Sequence, residues 1–242
     1  METKLNKDKF IPLFEDWWPK FEKFFENGGF DPIYDFLKFE SKRGKQIAPK
    51  SDLVYKAFEL TPMKECKVII IGLSPYHTFT REGYPIADGL AMGCSITGKL
   101  QPSLSVFYKG IENELYEGLN LSYNQNPDLS YLAKQGVLLL NAALTTEKDK
   151  AGNHLNIWEP FMKYFLEEVV GYTGIPIIFL GKEAQKLEKY VTPFTHTFSL
   201  THPAYYARLQ QDMETNGVFK KVNNIIKQNN GFTIKWLEEY DT

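Results

Sequence analysis

Cysteine is nearly absent from this chain of 242 residues: Cys66 and Cys94 are the only two. Two cysteines cannot build a disulfide framework or hold an iron–sulfur cluster, and both read as buried thiols in a reducing compartment. Histidine is sparse as well. His77, His154, His196 and His202 are dispersed, without the paired spacing of a zinc site, so no metal or other cofactor is expected. An excess of charge of one sign is also missing, because 28 Lys and Arg stand against 30 Asp and Glu for a net charge of −2. That balance excludes a protein that coats nucleic acid by bulk charge, while leaving room for a local basic groove. No apolar run approaches the ~20 residues that cross a bilayer, and Met1 to Phe10 lacks the apolar stretch of a secretory signal. The expected protein is soluble and intracellular: cytoplasmic, or nuclear in a eukaryote. A Gly-x-Ser-x-Gly elbow, a phosphate-binding Lys loop and a dinucleotide fingerprint are all missing, which removes three common α/β chemistries.

What the chain has in quantity is apolar and aromatic side chains, 43% and 15% of residues. This content supplies one large core, and the length fits one α/β domain (1–242) better than two small ones. Residues 1–60 are expected to form a helical segment packed on that domain. Within it Phe14, Trp17, Trp18, Phe21, Phe24 and Phe25 recur at helical spacing. They form either a buried helix face or, alternatively, a platform for stacking bases. Lys42–Lys50 (KRGKQIAPK) is the nearest thing to a linker, but its Ile-Ala-Pro centre predicts an ordered loop. From Lys67 onward, apolar strand-like runs alternate with helical patterns. Val68–Ile71, Val137–Leu140, Ile175–Leu180 and Thr197–Leu200 read as strands. Helices are expected after Pro102-Ser103, over Trp158–Val170, over Glu183–Tyr190 and over Asn216–Gln228. Strands separated by helices predict a three-layer α/β/α fold around a central four-stranded, mostly parallel sheet.

Each strand-like run ends in a loop rich in Gly, Pro, Ser, His or Asn, and loops at the carboxyl ends of such strands converge on one crevice. Gly72-Leu73-Ser74-Pro75-Tyr76-His77 combines a residue that permits close backbone approach with a proline that holds Ser74 extended. Taken alone, it also fits an ordinary turn with a packed tyrosine. Asn141 is a strand-terminal amide, able to pair a carbonyl and an N–H of a planar heterocycle or simply to cap a turn. Gly181-Lys182 precedes a helix whose N–H groups favour a phosphate. Thr201-His202-Pro203 places an imidazole on a stiff loop, followed by Tyr205, Tyr206 and Arg208. The insertion-like stretch from Thr78 to Ala87 carries no readable chemistry.

Read together, these loops resemble the family 1 uracil-DNA glycosylases. The family's Gly-Gln-Asp-Pro-Tyr-His is matched by Gly72–His77, and its His-Gly-Leu-Ala-Phe-Ser by Asp88-Gly89-Leu90-Ala91-Met92-Gly93. Its Pro-Pro-Ser-Leu corresponds to Gln101-Pro102-Ser103-Leu104, and its Gly-x-x-Ala-Gln to Gly181-Lys182-Glu183-Ala184-Gln185. Leu132 to Asn141 and Lys150-Ala151-Gly152-Asn153-His154 fit closely. The His-Pro-Ser-Pro-Leu-Ser loop becomes His202-Pro203-Ala204-Tyr205-Tyr206-Ala207. The resemblance runs in consistent order over about residues 10 to 228.

The resemblance implies a uracil-DNA glycosylase-like fold and a monomer without cofactor that flips a nucleotide out of single- or double-stranded DNA into a pocket. Asn141 would read the pyrimidine edge, Tyr76 would crowd the 5-position, and His202 would donate to O2 of the departing base. Leu73 and Met92 stand where the family has Gln and the base-stacking Phe. His77, Pro102, Ser103, Gly181 and Lys182 would grip phosphates. Tyr206 would fill the vacated stack, and Arg208 would supply positive charge together with Lys220 and Lys221. One position departs in chemistry as well as shape: Ser74 replaces the family's catalytic Asp. A hydroxyl holds a water but brings no negative charge to an oxocarbenium-like sugar. Asp88 is a candidate for replacing part of that charge. Two functions fit this pattern, a DNA N-glycosylase with reduced or altered activity and a catalytically silent protein that binds DNA or a base.

Overall fold

The computed structural model describes residues 4–117 and 123–239, so the outermost residues of the expected domain lie outside the described ones. Strands β1 (Val68–Gly72), β2 (Val137–Asn141), β3 (Ile177–Leu180) and β4 (Thr197–Leu200) form one parallel sheet in the order β2-β1-β3-β4. Every residue of β1, β2 and β3 is buried. Such continuous apolar runs are what a parallel sheet covered on both faces requires. Of the two edge strands β4 is the less covered, and its Thr197 and Ser199 are more exposed. The chain moves from β1 to β2 on one side, then crosses to β3 on the other. This reversal opens a crevice at the carboxyl ends of the strands.

Six helices of seven residues or more surround the sheet among the described residues: α1 (Trp18–Glu26), α2 (Asp31–Lys42), α3 (Pro102–Leu115), α4 (Leu155–Tyr164), α5 (Pro203–Leu209) and α6 (Val218–Asn230). The N-terminal aromatics are core. Phe14, Trp17 and Phe21 are wholly buried, and Trp18, Phe24 and Phe25 nearly so. The ring of Phe21 stacks on Phe161 of α4 at 5.3 Å, and Trp17 Nε1 donates to the Thr61 carbonyl at 2.8 Å. The stacking-platform alternative is therefore overturned, because these rings face protein rather than solvent. Both cysteines are free and buried, and burial pushes the Cys66 thiol up to about 12.

Three segments differ from their sequence reading. The stiff loop expected after His202 is the start of α5: Pro203 sits at its first position, where a fixed φ favours helix and the missing N–H costs nothing. The helix expected over Glu183–Tyr190 is a short turn, Lys182–Gln185, that tightens into a 3-10 segment. The helix over Trp158–Val170 begins at Leu155 and widens into a π-helical turn over Phe165–Val169. The Lys42–Lys50 stretch is ordered as expected, since Ile47–Ala48 pairs antiparallel with Thr146–Glu147. Residues 78–86, unreadable in the sequence, form a small hairpin held by a Phe79–Pro85 bridge. No helix among the described residues is long and apolar enough to cross a membrane.

Phe161 lies against Phe14, Phe21, Phe24, Phe30, Phe58 and Trp158, and so joins the N-terminal helices to the sheet layer. Phe161→Ala should lower stability by about 3–5 kcal/mol, the cost of a large buried ring and its residual cavity. Urea unfolding should remain a single transition. A biphasic curve would mean that residues 1–60 fold as a unit of their own.

Candidate active site

The register of the central pair sets the geometry. Gly72 is paired with Asn141 across β1 and β2, so the loop after β1 and the strand-terminal amide leave the sheet at the same height. A Cβ on Gly72 would come within 2.7 Å of Asn141 Oδ1. The glycine is what leaves room for the amide. Asn141 is 4% exposed, and its side-chain amide has no hydrogen-bond partner among the described residues. It faces a cavity of about 320 Å³ at the carboxyl edge of the sheet. The amide opens onto this cavity rather than onto protein, so a ligand held there can pair with its oxygen and its N–H.

The cavity gathers the loops that the sequence singled out. Leu73, Ser74, Tyr76 and His77 come from the first loop, Met92 from the next, and Ser103 from the first turn of α3. Gly181, Lys182, His202 and Arg208 close the far side. Tyr76 Oη lies 2.8 Å from Ser103 Oγ, which fixes the ring in place. Its phenol is pushed upward by burial and stays neutral. Met92 is held at φ 63°, a backbone shape unusual for a side-chain-bearing residue. Ser74 Oγ accepts the Gly152 N–H at 3.0 Å and lies 3.3 Å from the Pro75 carbonyl. One lone pair of the hydroxyl is thereby taken, and its proton is directed back at its own loop. The buried Nδ1 of His77 has no partner among the described residues.

His202 caps α5. Its Nδ1 accepts the Ala204 N–H at 3.1 Å, so the neutral ring carries its proton on Nε2. Burial, with the Arg208 guanidinium as a lesser cause, holds its pKa down to about 4. The imidazole is thus a neutral donor across the physiological range. Gly181 has φ 89°, and a Cβ there would approach His202 Cβ to 2.8 Å. This glycine lets the loop after β3 pass beside the imidazole.

Pro102 and Tyr206 fall outside the cavity wall, as do Lys220 and Lys221, which lie on α6. Pro102 is the first residue of α3 and lies in a shallower groove between α3 and α5. Tyr206 is 8% exposed and packs inward, whereas Tyr205 is 47% exposed and lines the cavity mouth. The reason is the helix that the sequence reading missed. On α5, Tyr205 and Arg208 are three residues apart and share the outer face, while Tyr206 turns toward the core. A helix assigned from Pro203 onward would have separated the two tyrosines. Ala151, Leu180, Glu183 and Ala204 also line the cavity without having been singled out.

Asp88 does not line this cavity. It is wholly buried, its Oδ1 accepts the Leu90 N–H at 3.1 Å, and its Oδ2 accepts Ser95 N–H at 3.0 Å and Ser95 Oγ at 2.7 Å. Lys56 Nζ stands 3.8 Å away. This carboxylate organises its own loop and is absent from the wall. Glu183 is the one carboxylate among the lining residues, and its two oxygens both receive Lys186 Nζ at 2.7 Å. No group of three or more His, Cys, Asp and Glu among the described residues is placed to hold a metal.

The carboxyl edge of this parallel sheet thus gathers an amide, a fixed phenol ring and a neutral imidazole around one cavity. The profile of the uracil DNA glycosylase superfamily matches residues 58–227, and the chain belongs to that superfamily. It is 34% identical over 235 residues to a uracil-DNA glycosylase of Pseudomonas aeruginosa, covering 96% of this chain and 97% of that protein. A uracil-DNA glycosylase of Coxiella burnetii is 34% identical over 210 residues, covering 86% and 87% of the two chains. The crystal structure of mimivirus uracil-DNA glycosylase superposes with a TM-score of 0.79 at 24% identity, covering 96% of this chain and 90% of that one. That structural likeness bears on the fold.

In a proton-detected NMR titration, the His202 ring should stay neutral down to about pH 4, well under the 6.5 of an unperturbed histidine. The unfolded chain takes up this proton near pH 6.5 and the folded chain does not, so the contribution of His202 to stability is full above pH 6.5 and is lost as pH falls toward 4. A His202 resonance titrating near 6.5 would contradict the buried, Nδ1-accepting geometry.

Proposed function

We propose that this chain takes a flipped uracil, or a related modified pyrimidine, from DNA into the cavity and releases it by N-glycosidic hydrolysis at a reduced or altered rate. The observation that carries this reading is the unpaired Asn141 amide, buried opposite a neutral imidazole in a chain of this superfamily. The names of the relatives supply the uracil. The amide can donate to one carbonyl oxygen of the base and accept from its ring N–H. The Tyr76 ring, fixed against Ser103, would crowd a 5-methyl group on the base. As the bond between C1′ and the base nitrogen breaks, negative charge accumulates on the base oxygens, and His202 Nε2–H donates to it without giving up its proton. A water adds to C1′, and the proton it loses returns through solvent to the departing base. Tyr205, exposed at the mouth beside Arg208, is placed to enter the stack that the nucleotide leaves.

The weak element is the sugar side. Ser74 offers a neutral hydroxyl whose proton is directed at its own loop, and the wall's one carboxylate is neutralised by Lys186. Losing one preorganised electrostatic group lowers rates by about 10²–10³-fold. The same observation favours a second reading, a base-binding protein on this fold that does not cut.

Single-turnover release from oligonucleotides carrying uracil or 5-modified pyrimidines separates these readings. Ser74→Asp should release uracil about 10²-fold faster than the unaltered chain. Release by the unaltered chain establishes an enzyme independent of that Asp and identifies its base. Silence from the unaltered chain with release by Ser74→Asp supports the binding reading, and silence from both removes the uracil assignment. Asn141→Asp should weaken binding of uracil-containing DNA about 10-fold or more, because a carboxylate has no N–H to donate and leaves the base carbonyl unpaired. Unchanged affinity would take base reading away from Asn141.

A further inference from the structure

Two features of the sequence remain outside the cavity, the basic Lys42–Lys50 stretch and the insertion after His77. The fold brings them together. The hairpin closes through Thr80 N–H to the Tyr84 carbonyl at 2.7 Å and Gly83 N–H to the Thr80 carbonyl at 3.0 Å, leaving Arg81 and Glu82 at its exposed tip. Beneath it, Lys148 N–H donates to the Gln46 carbonyl at 2.8 Å, and Lys148 Nζ to Gln46 Oε1 at 2.9 Å. Two ammonium groups rest on the hairpin's own rings: Lys148 lies 5.5 Å from the centre of Phe79 and Lys50 lies 5.0 Å from that of Tyr84. The Asp149 N–H donates to the His77 carbonyl at 2.9 Å, and Ala151 lines the cavity. The loop that carries Lys148 therefore continues directly into the cavity wall.

We propose that this hairpin and the loops under it form a phosphate-binding surface that holds the DNA backbone beyond the flipped nucleotide. Lys50, Arg81 and Lys148 have no ion-pair partner among the described residues, and Lys50 and Arg81 are exposed. The acidic groups nearby are largely committed elsewhere. Glu147 is held down to about 2 by hydrogen bonds from Lys45 and Lys150. Glu82 is lowered by its own backbone N–H and by Thr80, and so serves the turn. Asp149 is the remaining carboxylate on the loop. Cations held on aromatic rings keep their outer faces free for a second, anionic partner. With a net charge of −2, the chain needs local clusters of this kind to hold a polyanion.

The inference rests on the DNA-binding reading and is tested separately from it. Affinity for undamaged and uracil-containing duplexes is measured by fluorescence anisotropy between about 50 and 200 mM salt, comparing the unaltered chain with the triple variant Lys50→Gln, Arg81→Gln, Lys148→Gln. Each lost phosphate contact reduces the slope of log affinity against log salt by about 0.9, so the triple variant should lose about 2–3 from the slope, equally on both duplexes. The pair Lys50→Arg, Lys148→Arg should keep the original slope, which separates charge from folding. An unchanged slope in the triple variant overturns the inference while leaving the cavity reading intact. Failure of the unaltered chain to bind either duplex overturns both.

Discussion

Everything at the candidate site hangs on the way the β1–β2 ladder runs on past the strands. Ala142 N–H donates to the Gly72 carbonyl at 2.8 Å, and Ala143 N–H donates to the Leu73 carbonyl at 3.1 Å. These two bonds hold the first half of the catalytic-type loop as firmly as sheet backbone. They also fix Asn141 opposite a residue with no side chain. The amide is thus placed by the most buried part of the molecule rather than by a mobile loop, and its unpaired state is built into the register. A one-residue slip would turn it to the other face of the sheet. Such a position pre-organises recognition, because no ordering of the amide remains to be done when a base arrives.

The electrostatics of the cavity are lopsided. On the base side, a neutral histidine offers Nε2–H without the competing cost of a buried charge. On the sugar side stands a hydroxyl already bonded to Gly152. The one carboxylate in the wall is tied to Lys186, and Asp88 is consumed by Ser95 and Leu90. In the proposed reaction this arrangement would stabilise a departing base better than a cationic sugar, so that reading a base would be better supported than cutting it from its sugar.

Much of this was legible in the sequence. The three buried strands announce themselves as apolar runs ending in Gly72, Asn141 and Gly181, and the loops after them are where the cavity lies. The alternation of strand and helix was enough for parallel pairing, while the order β2-β1-β3-β4 emerges only in the folded sheet. What was not legible has common physical causes. The α5 helix is short and opens with Thr-His-Pro, so its period is too brief to read, and with it went the distinction between outward Tyr205 and inward Tyr206. The 78–86 hairpin has no periodicity of its own. Its partners Lys50 and Lys148 are distant in the chain and meet it through cation–π contacts. Asp88, plausible from its place in the sequence, is disqualified by hydrogen bonds that only the folded loop reveals.

In the proposed reaction a base leaves the helix and pairs with Asn141. A duplex carrying 2-aminopurine beside the uracil measures this step without any cleavage, because the probe brightens when its neighbour unstacks. Binding of the unaltered chain should raise the fluorescence strongly, and Asn141→Ala at equal occupancy should reduce that rise. Saturated binding with no brightening would contradict the account, leaving a protein that holds DNA without drawing a base into its cavity.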